Sequence, residues 1–122
     1  MFKVSIKESS RDFTARERIA FKDTSNAIQL DTVLSDETVT LDIVPVDYIR
    51  LEVESDDERY DKIIVITDKG EKYITGSQSF QTAFLSIWEE MKTDSDPYTI
   101  TVYKRKSRNY AGKAFITCSL TL

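Results

Sequence analysis

The stretch KIIVITDKGEKYIT, residues 62–75, decides how the rest of the chain is read. A β-branched run, Ile63 to Thr67, meets Asp68, Lys69 and Gly70, and a second short run, Tyr73 to Thr75, follows. Branched side chains suit a pleated surface and Gly supplies a turn, so two antiparallel strands are predicted here. Directly after it, SFQTAFLSIWEEMK changes period. Phe80, Ala83, Phe84, Ile87, Trp88 and Met91 recur at helical spacing as one apolar stripe, with Ser77 or Ser79 available as N-cap. Pro97 closes that helix, because the residue before a proline avoids helical backbone. Trp88 lies within the stripe and is read as core.

Two strands complete the chain. In YTITVYKRK, Tyr98, Ile100 and Val102 share one face, while Thr99, Thr101, Tyr103 and Arg105 share the other. In KAFITCSLTL, Ala114, Ile116, Cys118, Leu120 and Leu122 oppose Lys113, Phe115, Thr117, Ser119 and Thr121. Paired as a hairpin, they bring Tyr103, Arg105, Lys113 and Phe115 to one side, with Arg108 and Tyr110 at the tip.

Upstream, FKVSIK alternates as a half-buried strand, with Phe2, Val4 and Ile6 inward. FTARERIAFK is read as a second strand, with Phe13, Ala15, Ile19 and Phe21 inward, Thr14, Arg16, Arg18 and Lys22 outward, and Glu17 as a misfit. A helical reading of ARERIAFK stays open. DTSNAIQLDTVLSDET reads as a loop with at most a short turn of helix or strand. TVTLDIVPVDYIRLEVES is strand-forming, with Pro45 at a strand start, edge or bulge, and the acidic ESDDERYD is read as a solvated loop. The order of elements predicts a mainly β fold in a single domain, residues 1–122. A β-barrel like the OB-fold, with one helix between its third and fourth strands, fits that order. A sheet packed on one helix without closure is the alternative.

The chain has 122 residues, 40% of them hydrophobic and 31% charged, enough to build one core without staples. Its one cysteine, Cys118, forms no intrachain disulfide, which fits a reducing cytoplasm. Neither a signal-peptide run nor an 18-residue apolar segment occurs, so no membrane association is expected.

Histidine is absent, which removes the commonest general base and excludes Ser-His and Cys-His nucleophiles. The expectation is a protein that is not an enzyme and uses no cofactor. The run at Asp56, Asp57, Glu58 and Asp61 reads as solvated surface, not as a metal site. AGK at 111–113 is no phosphate-binding loop, since Ser107 stands where the first glycine belongs and Ala114 where the hydroxyl belongs.

Charge is distributed unevenly. Residues 1–22 carry +3, residues 23–97 carry −12 and residues 98–122 carry +5, for a net charge of −4. Lys104, Arg105, Lys106, Arg108 and Lys113 are interleaved with Tyr103, Tyr110 and Phe115. Cations along a backbone with rings for base stacking are what single-stranded nucleic acid requires. Arg16 and Arg18 extend the candidate set. The bland alternative is an edge hairpin whose charges discourage aggregation.

Two stretches resemble known families. MFKVSIKESSRDFTAR resembles the amino terminus of the filamentous-phage gene five single-stranded-DNA-binding proteins at Met1, Lys3, Val4, Ile6, Lys7, Ser9, Phe13, Thr14 and Arg16, over about sixteen residues. The resemblance implies an OB-type fold, a homodimer and DNA contact through Arg16. DKGEKYITGSQSFQTAFLSIWEEM and YKRKSRNYAGKAFITCSL look like small replication-associated proteins of phages and mobile elements. They imply single-stranded-DNA binding beside replication proteins. A second function class stays open: a small phage-type inhibitor or adaptor that binds a host protein through an acidic, DNA-mimicking middle section.

Overall fold

The computed structural model describes residues 3–94, 96–106 and 114–121. Eight strands and three helices are assigned among them, so the fold is mainly β. The chain divides into two compact units, Met1–Gln29 with Val46–Gly76, and Leu30–Pro45 with Ser77–Leu122.

The first unit holds a five-stranded sheet in the order β1-β4-β5-β6-β2. Its strands are β1 (Lys3–Ser9), β2 (Ile28–Gln29), β4 (Pro45–Glu54), β5 (Arg59–Thr67) and β6 (Lys72–Thr75). β5 and β6 form the expected antiparallel hairpin, Ile64 opposite Ile74 and Val65 opposite Tyr73. Gly70 turns it with φ of 78°, and the Thr67 hydroxyl accepts from the amides of Lys69 and Glu71, both at 3.3 Å. Pro45 begins β4, where its missing amide removes no interior ladder bond. A core of Phe13, Ile49, Leu51, Ile64 and Ile74 is completed by Val4, Ile6, Phe21, Ala27 and Ile66.

The segment read as a second strand is instead helix α1 (Ala15–Lys22). A capping box explains the change: the Thr14 hydroxyl accepts from the Glu17 amide at 3.2 Å, and the Glu17 carboxylate accepts from the Thr14 amide at 2.9 Å. Glu17, a misfit in a strand, is the N3 residue of a helix. Phe13 and Phe21 still turn inward, ring edge to ring face at 4.9 Å, but Ile19 is 71% exposed. The acidic segment is half strand: residues 55–58 form a mostly solvent-exposed turn as expected, while Glu54 ends β4 and Arg59, Tyr60 and Asp61 belong to β5.

The second unit holds the sheet β3-β7-β8, built from β3 (Thr40–Ile43), β7 (Ile100–Lys106) and β8 (Ala114–Leu120), all antiparallel. Here α2 (Leu30–Val33) supplies fully buried Leu30, with Leu34 just beyond it. Helix α3 (Gln78–Met91) packs on β8. Its N-cap is Ser77, whose Oγ accepts from the Phe80 amide at 3.3 Å and donates to the Ile116 carbonyl at 2.9 Å. Of the expected stripe, Phe80 and Phe84 are fully buried, and burial of each contributes about 1.5–3 kcal/mol. Trp88 is half-buried and stacks on Phe84 at 5.9 Å.

Two expectations are thereby corrected. Among the described residues there are three helices, not one, because α1 is capped and α2 carries Leu30 into a core. Among the described residues the strands form two open sheets, ending at β1 and β2 in one and at β3 and β8 in the other, with no closed barrel.

Replacing Gly70 by alanine is expected to lower stability by about 1–2 kcal/mol, because a Cβ is strained at positive φ even though open space surrounds it. A shifted denaturant midpoint with unchanged slope checks this. Glu17 is held down to about 2, first by the Arg11 side chain and then by the Thr14 amide. A depressed carboxylate stabilises the fold above its ordinary value of 4.5 and loses that contribution as pH falls towards 2. Glu17→Gln should therefore flatten the acid limb of a stability-against-pH curve across that window.

Candidate nucleic-acid interface

Pairing between β7 and β8 decides which side chains stand together. Tyr103 faces Thr117, Arg105 faces Phe115, and Thr101 faces Ser119. Directly opposed residues project from the same face of a sheet, so Tyr103, Arg105 and Phe115 share one. The other face carries Ile100, Val102, Ile116 and Cys118, all buried, together with Ile43 of β3. Lys104 and Lys106 have this second parity and therefore leave the sheet opposite Arg105.

Strand β3 extends the Tyr103 face. Thr40 is opposite Tyr103 and Asp42 is opposite Thr101. Hydroxyl groups line this surface: Thr101 Oγ1 donates to Asp42 Oδ1 at 2.7 Å and lies 2.7 Å from Thr121 Oγ1. The Tyr103 hydroxyl lies 2.9 Å from Ser119 Oγ, which draws the ring along the sheet and leaves it half-buried. Arg105 is exposed and Phe115 is half-buried. The surface therefore combines two rings, one guanidinium, a hydroxyl lane and one carboxylate.

Lys104 and Lys106 line a separate cavity of about 410 Å³ with Ser35, Asp36, Glu37, Thr38 and Ala114. Lys106 Nζ is 3.9 Å from Glu37. Asp36 is held below the usual carboxylate range, first by the Thr38 hydroxyl and amide, and to a smaller degree by Lys104. The acidic loop thus offsets part of the lysine charge.

Arg16 and Arg18 do not share a strand face. They lie on α1, where residues two apart point to different sides of a helix. Arg16 is exposed, and Arg18 Nη1 donates to the Phe13 carbonyl. Arg108, Tyr110 and Lys113 lie outside the described residues. Asp42 was missed in the sequence, where it is one acid in an acidic section; only the pairing of β3 with β7 brings it to the ring-bearing face.

The acidic middle section is partly neutralised. Asp61 pairs with Lys7 at 2.8 Å and Arg50 at 3.3 Å, and Arg59 joins Glu52 at 3.4 Å and Glu54 at 3.0 Å. No group of three or more Cys, Asp or Glu that could hold a metal ion occurs among the described residues, and no helix among them is long and apolar enough to cross a membrane. No protein-family model, curated protein or solved structure matches the chain.

Cys118 is buried, and burial pushes its thiol up to about 12. A thiolate is the reacting form, so a maleimide should leave Cys118 unmodified in the folded protein at pH 8 and modify it fully in denaturant. Mass spectrometry with and without denaturant reads the difference.

Proposed function

We propose that the protein binds single-stranded DNA on the face of β7 and β8 that carries Tyr103, Arg105 and Phe115, as a binding module and not an enzyme. The observation that carries this reading is the cross-strand pair Arg105 and Phe115, with Tyr103 two residues along on the same exposed side. Two rings on adjacent strands, Tyr103 on β7 and Phe115 on β8, offer stacking surfaces to neighbouring bases, and the guanidinium of Arg105 beside them suits the phosphates. Lys104, Lys106, Arg108, Lys113, Arg16 and Arg18 would contribute backbone contacts, and Tyr110 a further ring.

An open sheet is sufficient for this chemistry. Small RNA-binding domains stack bases on the aromatics of an uncovered sheet, so the OB-like barrel expected from the sequence is not a requirement. The likeness of residues 1–16 to gene five proteins, and of the second half to replication-associated proteins, supports a cytoplasmic role in phage or mobile-element replication. A homodimer and contacts with replication proteins belong to the same proposal. Recognition of a host protein through a DNA-mimicking acidic middle section is less favoured, because Glu52, Glu54 and Asp61 of that section hold cations.

Fluorescence anisotropy with a labelled thymine oligonucleotide and a duplex of equal length tests the reading. The single strand should bind more tightly, and log affinity should fall with log salt, by about 0.7 per phosphate contact. Tyr103→Ala should weaken binding about 5-fold to 100-fold, the range of one stacked base. Arg105→Ala should flatten the salt slope by about one contact. Failure of the wild-type protein to bind at low salt would sink the proposal.

A further inference from the structure

We infer that Asp42 reads one base of the bound strand and makes the site prefer guanine to thymine. This inference rests on the single-stranded-DNA reading and adds a position of selectivity to it. It starts from the polarity of the exposed face. Along β7, Arg105 lies on one side of Tyr103 and Thr101 on the other, and Asp42 is opposite Thr101. The Arg105 and Thr101 positions are about 13 Å apart at ordinary strand rise. Along the strand direction, a cation-bearing position therefore lies on one side of Tyr103 and a carboxylate-bearing position, on the adjacent β3, lies on the other.

A nucleotide stacked on Tyr103 has one favourable orientation in that field. Its phosphate belongs with Arg105, and like-charge repulsion keeps it from Asp42. The edge of the base then points towards Asp42. Among the described residues, no cation pairs with Asp42; its one hydrogen bond there comes from Thr101 Oγ1 at 2.7 Å. That bond orients the exposed carboxylate and leaves acceptor capacity on both oxygens.

Carboxylates accept hydrogen bonds and donate none, so base identity matters. Guanine offers its ring imino and exocyclic amino hydrogens side by side, which matches two carboxylate oxygens. Cytosine and adenine offer one amino group each. Thymine offers a single imino hydrogen flanked by two carbonyl oxygens, which repel the carboxylate. The expected order is guanine first, then cytosine and adenine, and thymine last. The hydroxyls of Ser119, Thr101 and Thr121 both donate and accept, and do not reverse this order.

The test compares an all-thymine oligonucleotide with the same strand carrying one central guanine, which also avoids guanine self-association. For the wild-type protein the guanine strand should bind about tenfold tighter, in line with one two-point base contact. Asp42→Asn should bring the ratio close to one while strengthening binding to the all-thymine strand, since a repelling negative charge is removed. Thr101→Val, which removes the orienting hydroxyl, should reduce the ratio in the same direction. Circular dichroism melting confirms that both variants fold. Equal wild-type affinities for the two strands, or a guanine preference that survives both substitutions, would overturn the inference and leave single-strand binding standing. Absence of binding to either strand would instead overturn the underlying reading, and the inference with it.

Discussion

Burial of one face of the three-stranded sheet is the constraint on which the candidate interface depends. Ile100, Val102, Ile116 and Cys118 must leave water together, and they do so only if Val102 stands opposite Cys118. A slip of one residue would turn the apolar set outward and carry Tyr103, Arg105 and Phe115 inward. Two hydrogen bonds help hold the register: Ser77 Oγ to the Ile116 carbonyl, and the Thr121 amide to the Thr99 carbonyl, both at 2.9 Å. The same α3 that packs on β8 therefore also determines which residues remain available to a ligand.

Electrostatics follows from pairing more than from totals. The middle of the chain carries most of the negative charge, yet several of its carboxylates sit beside Lys7, Arg50 and Arg59. Exposed pairs of this kind contribute only about 0–1 kcal/mol each to stability. Their larger effect is on the field, because a paired carboxylate presents less net charge to a partner. Within β7 the cations fall on both faces: Arg105 shares its face with rings and hydroxyls, whereas Lys104 and Lys106 border the loop of Asp36 and Glu37. Only the Arg105 side combines a cation with aromatic surface.

Much of the fold was legible wherever local chemistry agreed with the tertiary environment. The hairpin at residues 62–75 combines β-branched runs with a glycine whose φ of 78° other residues resist. Helix α3 announces itself through its apolar period and Ser77, and Pro45 marks the start of β4. The segment at residues 13–22 was ambiguous because its apolar residues fit a period of two nearly as well as a helical one. The capping box settled it, and Ile19, which looked inward in a strand, is exposed on the helix. ESDDERYD was a solvated turn only at residues 55–58: acidic composition suggests solvent throughout, but Arg59 and Asp61 have partners on the neighbouring strand.

By itself, the sequence determined a mainly β chain, the turn at Gly70, the helix after Ser77, and the common face of Tyr103 and Arg105. Each is set by residues close together in the chain, through backbone preference or through the period of two that a strand imposes. Tertiary structure alone decided the division into two sheets, the placing of Phe115 opposite Arg105, and the meeting of Asp42 with Thr101. That meeting joins residues 59 positions apart, and no local pattern encodes it; it exists because β3 pairs with β7 when their apolar faces are buried together.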